Sequence, residues 1–162
     1  MCLWRWLKCR KPPIRPLRQE HFSAVCKIYE ECFDVEKYPL KDFENVWHKR
    51  VEETCGYFID SKLVAFAIVI EKQEIKYLYF FGVTSELRGK GIGTKVLKHI
   101  LEKVSSIYLW PISTRLTQWY EAHGFHHSSS GYYNFHKYGT RLNLNSLRNS
   151  SRSSFRSERL SD

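Results

Sequence analysis

The sequence predicts a mixed α/β fold in which a central twisted sheet is flanked by helices. Three observations predict it. Ile75 to Val83 is a strand-length run that is apolar on both faces, with Tyr77, Tyr79, Phe81 and Val83 on one and Leu78 and Phe80 on the other. Such a run belongs in the middle of a sheet covered on both sides. Ile92, Val96, Leu97, Ile100, Leu101 and Val104 then recur at helical spacing directly after a glycine-rich turn. Finally, Cys55 to Ile59 and Leu63 to Ile70 read as two strands folded into a hairpin around Asp60-Ser61-Lys62.

The remaining elements follow in order. Ile14 to Arg18 reads as a short first strand, which Pro16 confines to the neighbourhood of a sheet edge. Glu20 to Phe33 reads as a helix, because Phe22, Val25, Ile28, Tyr29, Cys32 and Phe33 fall at helical spacing. Asp34 to Pro39 is a loop, and Leu40 to Val51 a second helix with Phe43, Val46 and Trp47 on one face. Ile107 to Trp110 is the next strand, and Pro111 ends its pairing because it has no N–H to give. Thr114 to His123 is the last helix, and Phe125 onward, through Tyr132, Tyr133, Phe135 and Tyr138, reads as a final pair of strands.

Apolar residues make up 43% of the chain and aromatics 15%, the composition of a folded protein. The length suits one domain with a real core. That domain is assigned to residues 14–140, between a basic arm at 1–13 and a Ser/Arg-rich tail at 141–162. The net charge of +9 is distributed unevenly. Residues 1–18 carry +6, residues 141–162 carry +3, and residues 19–140 sum to zero, so the basicity resides in the termini. A high net charge is therefore no sign that the domain itself binds nucleic acid. Any affinity for nucleic acid or an anionic membrane is expected to be weak and to lie in the tails. The arm, with Trp4 and Trp6 among four basic residues and with Cys2 and Cys9 open to acylation, is the segment suited to a membrane surface. The tail is expected to be disordered. No run approaches the ~20 apolar residues that span a bilayer. Five cysteines without metal-ligand spacing exclude a disulfide framework and a metal site, and point to a reducing, cytoplasmic compartment.

The chemistry concentrates in Arg88-Gly89-Lys90-Gly91-Ile92-Gly93, with Thr94 following. Strand, glycine turn and helix is the geometry that holds a phosphate: glycines let the backbone approach, and the free N–H groups and dipole of the helix N-terminus attract the anion. Arg88, Lys90 and Lys95 add full charges. A Walker A loop is absent, and a dinucleotide fingerprint fails because its third glycine position is Thr94. What fits is Arg/Gln-x-x-Gly-x-Gly/Ala, in Arg88, Gly91 and Gly93.

This pattern resembles the acetyl-CoA pyrophosphate loop of the GNAT superfamily of N-acetyltransferases. Trp119-Tyr120-Glu121-Ala122-His123-Gly124-Phe125 is similar to the tyrosine helix end and Gly-Phe turn of the same superfamily, and Ile14-Arg15-Pro16-Leu17-Arg18 to its usual first strand. The resemblance implies an acyltransferase that moves an acetyl group from acetyl-CoA, its co-substrate, to a primary amine, with no metal. It places the cofactor on Phe81, Val83, Arg88, Gly89, Lys90, Gly91, Ile92, Gly93, Thr94 and Ser113. Phe81 and Val83 would pair with the pantetheine arm, helped by a bulge at Gly82, and Tyr120 would be the acid that protonates the departing thiolate. The runner-up function is a catalytically weak domain of the same fold that binds nucleic acid or membrane through its tails.

Two departures bear on the acceptor. Ser113 stands where many relatives carry an Asn that contacts CoA. Tyr77 stands where some carry a catalytic carboxylate, leaving Glu74, Glu31 and His48 as unsupported base candidates. A Lys amine is neutral only about one part in a thousand near pH 7.4, whereas an α-amine is neutral roughly a quarter to a third of the time. A site with a weak base therefore suits an α-amine. Tyr132-Tyr133 and the Tyr38-Pro39 loop are similar to features of the protein N-terminal acetyltransferases. The acceptor is expected to be a peptide or a small amine, and neither its identity nor the oligomeric state is fixed by the sequence.

Overall fold

The computed structural model describes residues 12–137. The first eleven residues, with Cys2 and Cys9, and everything from Tyr138 onward lie outside the described residues. In chain order the elements are β1 (Ile14–Pro16), α1 (Phe22–Cys32), α2 (Leu40–His48), β2 (Cys55–Ile59), β3 (Lys62–Lys72) and β4 (Ile75–Val83), followed by α3 (Ile92–Lys103), β5 (Ser106–Leu109), α4 (Thr114–Glu121), β6 (His126–His127) and β7 (Tyr133–His136). The strands make one seven-stranded sheet in the order β1-β2-β3-β4-β5-β7-β6. β1 is an edge, as Pro16 requires, and β4 is the central strand. Only the β4–β5 pair is parallel.

β3 explains why helices cover both faces. Its run from Leu63 to Ile70 is buried throughout. Phe66, Ile68 and Ile70 meet Val25, Ile28, Tyr29, Phe43 and Trp47 of α1 and α2. On the other face the small Ala65 and Ala67, with Val69, leave room for Val96, Leu97 and Ile100 of α3. The β2–β3 hairpin closes on Asp60 and Ser61 alone, with φ of 46° and 67°, the positive pair demanded by a two-residue turn.

Four sequence expectations are corrected. The second helix stops at His48 and does not reach Val51, because Val51 donates its N–H to the Val69 carbonyl (2.9 Å) and Arg50 bridges to Ile70. Sheet pairing captures the end of the helix. The last helix stops at Glu121, closed by a turn described below. The faces of β4 also differ. Its register with β3 passes from Ile68↔Phe80 to Val69↔Leu78, so Tyr79 is an inserted, unpaired residue. A one-residue bulge reverses the alternation beyond it. Leu78, Phe81 and Val83 accordingly pack on the α3–α4 side, Tyr77 and Phe80 on the α1–α2 side, and Tyr79 is 48% exposed. The bulge is thus at Tyr79 and not at Gly82. Gly82 is needed for another reason: a Cβ there would sit 2.8 Å from the Phe66 ring and 3.0 Å from Cys32 Sγ.

β4 and β5 share a single register pair, Tyr77↔Tyr108. Toward the C-terminal ends the two strands diverge, and the resulting gap positions the site.

Candidate active site

The loop after β4 passes through a short 3-10 turn, Ser85–Leu87, before entering α3. Gly89 and Gly91 lie in the left-handed region, with φ of 76° and 78°, and a Cβ at either would meet nothing within 4 Å. The loop is both turned and open by virtue of its glycines. Gly91 is the N-cap of α3 and offers no side chain to it. The first intrahelical bond is Lys95 N–H to the Gly91 carbonyl, 3.1 Å. The amides of Ile92, Gly93 and Thr94 therefore stand free at the positive end of the helix dipole, an anion site by construction. Lys90 and Lys95 are exposed beside them.

Arg88 points elsewhere. Its Nε donates to the Val83 carbonyl (3.0 Å), and its Nη2 to the Glu31 carbonyl and Cys32 Sγ (3.3 Å each). The end of β4 faces the gap. Thr84 N–H bonds to the Val64 carbonyl at 2.9 Å, which makes Gly82 the hydrogen-bonded partner of Phe66 and turns the backbone of Phe81 and Val83 away from β3. Among the described residues no strand pairs with them there, because β5 has already diverged. Gly93 sits above this strand end: a Cβ would lie 3.6 Å from Phe81 and 3.7 Å from Val83 and Trp119. Trp119 in turn stacks on Phe81, centroids 5.9 Å apart. Loop, strand end and α4 thus meet at one place.

Tyr120 comes next along α4 and is 6% exposed. The turn after it fixes its position. Phe125 N–H bonds to the Tyr120 carbonyl (3.2 Å) and Gly124 N–H to that of Glu121 (3.0 Å), while Gly124 has φ 87°. This is a Schellman closure, completed by ring contact between Phe125 and Tyr120 at 5.4 Å. Burial pushes the Tyr120 phenol well above its ordinary pKa. Tyr120 lines a small cleft, open to solvent, between β4 and β5, together with Phe33, Tyr79, Phe81, Trp110 and Ile112. Among the described residues, none that lines it carries a charge.

The model of the Acetyltransferase (GNAT) family matches residues 22–132 of this chain. The chain belongs to the GNAT acetyltransferase family. The expectation of an N-acetyltransferase is met at the level of family, and the mixed sheet flanked by helices is the GNAT fold. Among solved structures, the chain is similar to Arabidopsis thaliana Naa50 in complex with the bisubstrate analogue CoA-Ac-MVNAL, at 19% identity, with 75% of this chain and 94% of that one covered and a TM-score of 0.61. It is also similar to the PaiA N-acetyltransferase of Thermoplasma acidophilum in complex with coenzyme A (17%, 76% and 97%, 0.59). A third is the ribosomal-protein-S18-alanine N-acetyltransferase of Escherichia coli (16%, 80% and 97%, 0.59).

Within this GNAT frame the departures acquire a physical setting. Ser113 is the N-cap of α4, its Oγ accepting from Leu116 N–H at 3.3 Å, a bond that holds the hydroxyl oxygen at the helix start. Tyr77 is enclosed by Tyr108 and Tyr132, at 5.9 and 6.0 Å, and burial raises its pKa. Glu31 is held by Ser85 N–H at 3.2 Å and by the Ser85 hydroxyl, bonds that lower its pKa and suit it poorly to accepting a proton. His48 ends α2, and Glu74 sits in the β3–β4 turn, and neither lines the cleft. Sequence reasoning missed the rim of the cleft. Tyr79, Trp110 and Ile112 are 48%, 62% and 55% exposed, large apolar side chains left facing solvent around the opening. For Trp110 and Ile112 the signal was a pair of large apolar residues flanking Pro111.

Proposed function

We propose that this chain transfers the acetyl group of acetyl-CoA to the α-amine of a peptide or protein N-terminus whose first side chain is apolar. The observation that carries the reading is the uncharged cleft with Tyr120 in its lining. A Lys ammonium or a polyamine enters with its charge and needs a carboxylate to hold it and remove its proton, and an uncharged wall penalises it. An α-amine is neutral for about a quarter to a third of the time near pH 7.4 and needs no such group.

The free amides of Ile92, Gly93 and Thr94, with Lys90 and Lys95, suit the pyrophosphate. The backbone of Phe81 and the Val83 N–H, which no described strand engages on that side, suit the pantetheine arm, the Val83 carbonyl being held by Arg88 Nε and Cys32 Sγ. The neutral amine attacks the thioester carbonyl and forms the C–N bond, the C–S bond breaks as the sulfur takes the Tyr120 proton, and the nitrogen loses its proton to solvent, which returns one to Tyr120, leaving an amide and a thiol. The raised pKa keeps Tyr120 protonated for that step. Two structural neighbours support the acceptor class, one carrying an acetylated peptide analogue and one named for an alanine of a ribosomal protein.

The test supplies acetyl-CoA with three acceptors: Met- and Leu-initiated peptides lacking Lys, N-blocked peptides containing Lys, and spermidine. Thiol release is measured, and acetyl groups are placed by mass spectrometry. The α-amine of the apolar-initiated peptides should be preferred. Dominant ε-amine or polyamine acetylation would overturn the acceptor assignment.

A further inference from the structure

We infer that Arg88 is a positioning residue and not a phosphate ligand: its guanidinium ties the end of β4 to the C-terminal end of α1 and orients the Val83 carbonyl. The inference rests on the acetyl-CoA reading above for its functional meaning, but not for its geometry. Arg88 has five N–H groups in a rigid planar fork. Nε is directed to the Val83 carbonyl at 3.0 Å and Nη2 to the Glu31 carbonyl and Cys32 Sγ at 3.3 Å, while the residue itself stays exposed. The Glu31 carbonyl is among the orphan acceptors of the last turn of α1, where a cation also meets the favourable end of the dipole.

The tie is reciprocal. Glu31 sends its carboxylate the other way, onto Ser85 N–H and the Ser85 hydroxyl. Cys32 Sγ lies 3.5 Å from the same Val83 carbonyl as its donor. Residues 31–32 and 83–88 are thus laced together from both sides. The free amides are anchored separately, because Ile92 and Val96 are buried in the core and hold the first turn of α3 without Arg88. Removing the tie should therefore disturb the strand end that faces the pantetheine arm, and leave the anion cradle standing. It should also disturb Phe33, which follows Cys32 and lines the cleft.

The experiment compares the full-length wild type with Arg88→Ala, Arg88→Lys and Lys90→Ala. Binding is measured for acetyl-CoA and for 3′-phospho-ADP, which carries the phosphates without the pantetheine. Arg88→Ala should weaken acetyl-CoA about tenfold, the scale of losing a charge-assisted hydrogen bond, yet leave 3′-phospho-ADP affinity and its salt dependence unchanged. Arg88→Lys should not recover the loss, since one ammonium cannot reproduce the fork. Lys90→Ala should weaken both ligands and flatten their salt dependence. In turnover, Arg88→Ala should raise the KM for the acceptor more than it lowers kcat. Equal loss of both ligands in Arg88→Ala, restored by Arg88→Lys, would make Arg88 a phosphate ligand and overturn the inference. If the wild type binds neither ligand, the acetyl-CoA reading fails and amide exchange of the ligand-free protein decides. Faster exchange of Ser85 in Arg88→Ala supports the tie, and unchanged exchange overturns it.

Discussion

At the scale of single residues, Tyr120 and Cys55 show how burial sets chemistry. Tyr120 is held by the Gly124-Phe125 closure and kept neutral by desolvation. Tyr120→Phe removes one hydroxyl and keeps the ring contacts. Because general acid catalysis contributes ~10²–10⁴-fold, kcat should fall within that range while acetyl-CoA affinity holds. An unchanged kcat would remove Tyr120 from the chemistry. The raised pKa adds a sign: the acid stays protonated through pH 9, so Tyr120 should impose no alkaline decline in kcat over the neutral to mildly alkaline range. Cys55 is 1% exposed, and burial pushes its thiol up from 9.0 to about 12. A raised pKa contributes stability that is complete below the unfolded thiol pKa and is lost as pH rises through the folded one. Thermal denaturation should therefore show stability falling between pH 9 and 12, and Cys55→Ala should flatten that fall. Equal slopes for the two proteins would show that Cys55 is not the group responsible.

At the scale of elements, the sequence is most legible where pattern and packing agree. β2 and β4 lie where apolar runs placed them, and α3 starts at Ile92 as the glycine turn requires. Failures occur where tertiary pairing overrides local pattern. Arg50 and Val51 leave the helical register for β3, and Tyr79 is an inserted residue that period-two reading cannot detect. The same limit explains the site. Glycine spacing revealed the loop, because free amides follow from backbone alone. The direction of the Arg88 side chain and the exposed apolar rim of Tyr79, Trp110 and Ile112 depend on strands that diverge only in three dimensions. The loop also carries its own prediction. Gly91 lies at φ 78° with open space around its missing Cβ. Any L residue there is strained by about 1–2 kcal/mol, so Gly91→Glu alone confounds strain with charge. Gly91→Gln has the same strain and bulk without the charge. Both should lose stability equally in denaturation, but Gly91→Glu should bind acetyl-CoA at least ~10-fold more weakly, given repulsion of a pyrophosphate at close range. Matching affinities in the two variants would mean that no anion sits at this helix start.

At the scale of the whole molecule, charge and fold are separated along the chain. The terminal segments 1–18 and 141–162 carry the entire net positive charge, while 19–140 is neutral. Both cores are built from described residues between Ile14 and Phe135. A truncated chain spanning 11–141 should therefore fold cooperatively and bind acetyl-CoA with the affinity of the full chain. The two proteins should differ toward polyanions. The truncated chain keeps Lys11, Arg15, Arg18 and Arg141 and so carries +4 against +9 for the full chain, a weaker net field toward RNA or an anionic vesicle. Its local cations at Lys90 and Lys95 act only within the screening length of about 8 Å at physiological ionic strength. Binding of the full chain to RNA or to phosphatidylserine vesicles should be weak and fall steeply with salt, since each neutralised phosphate releases counterions. It should fall sharply in the truncated chain, which has lost five of the nine net charges. Loss on removing residues 1–10 alone would assign the contact to the segment containing Trp4 and Trp6, and residual binding at high salt would implicate those rings in addition to the charges. Tight, salt-resistant binding by the truncated chain would place a polyanion site on the domain itself, and would overturn the separation of charge from fold.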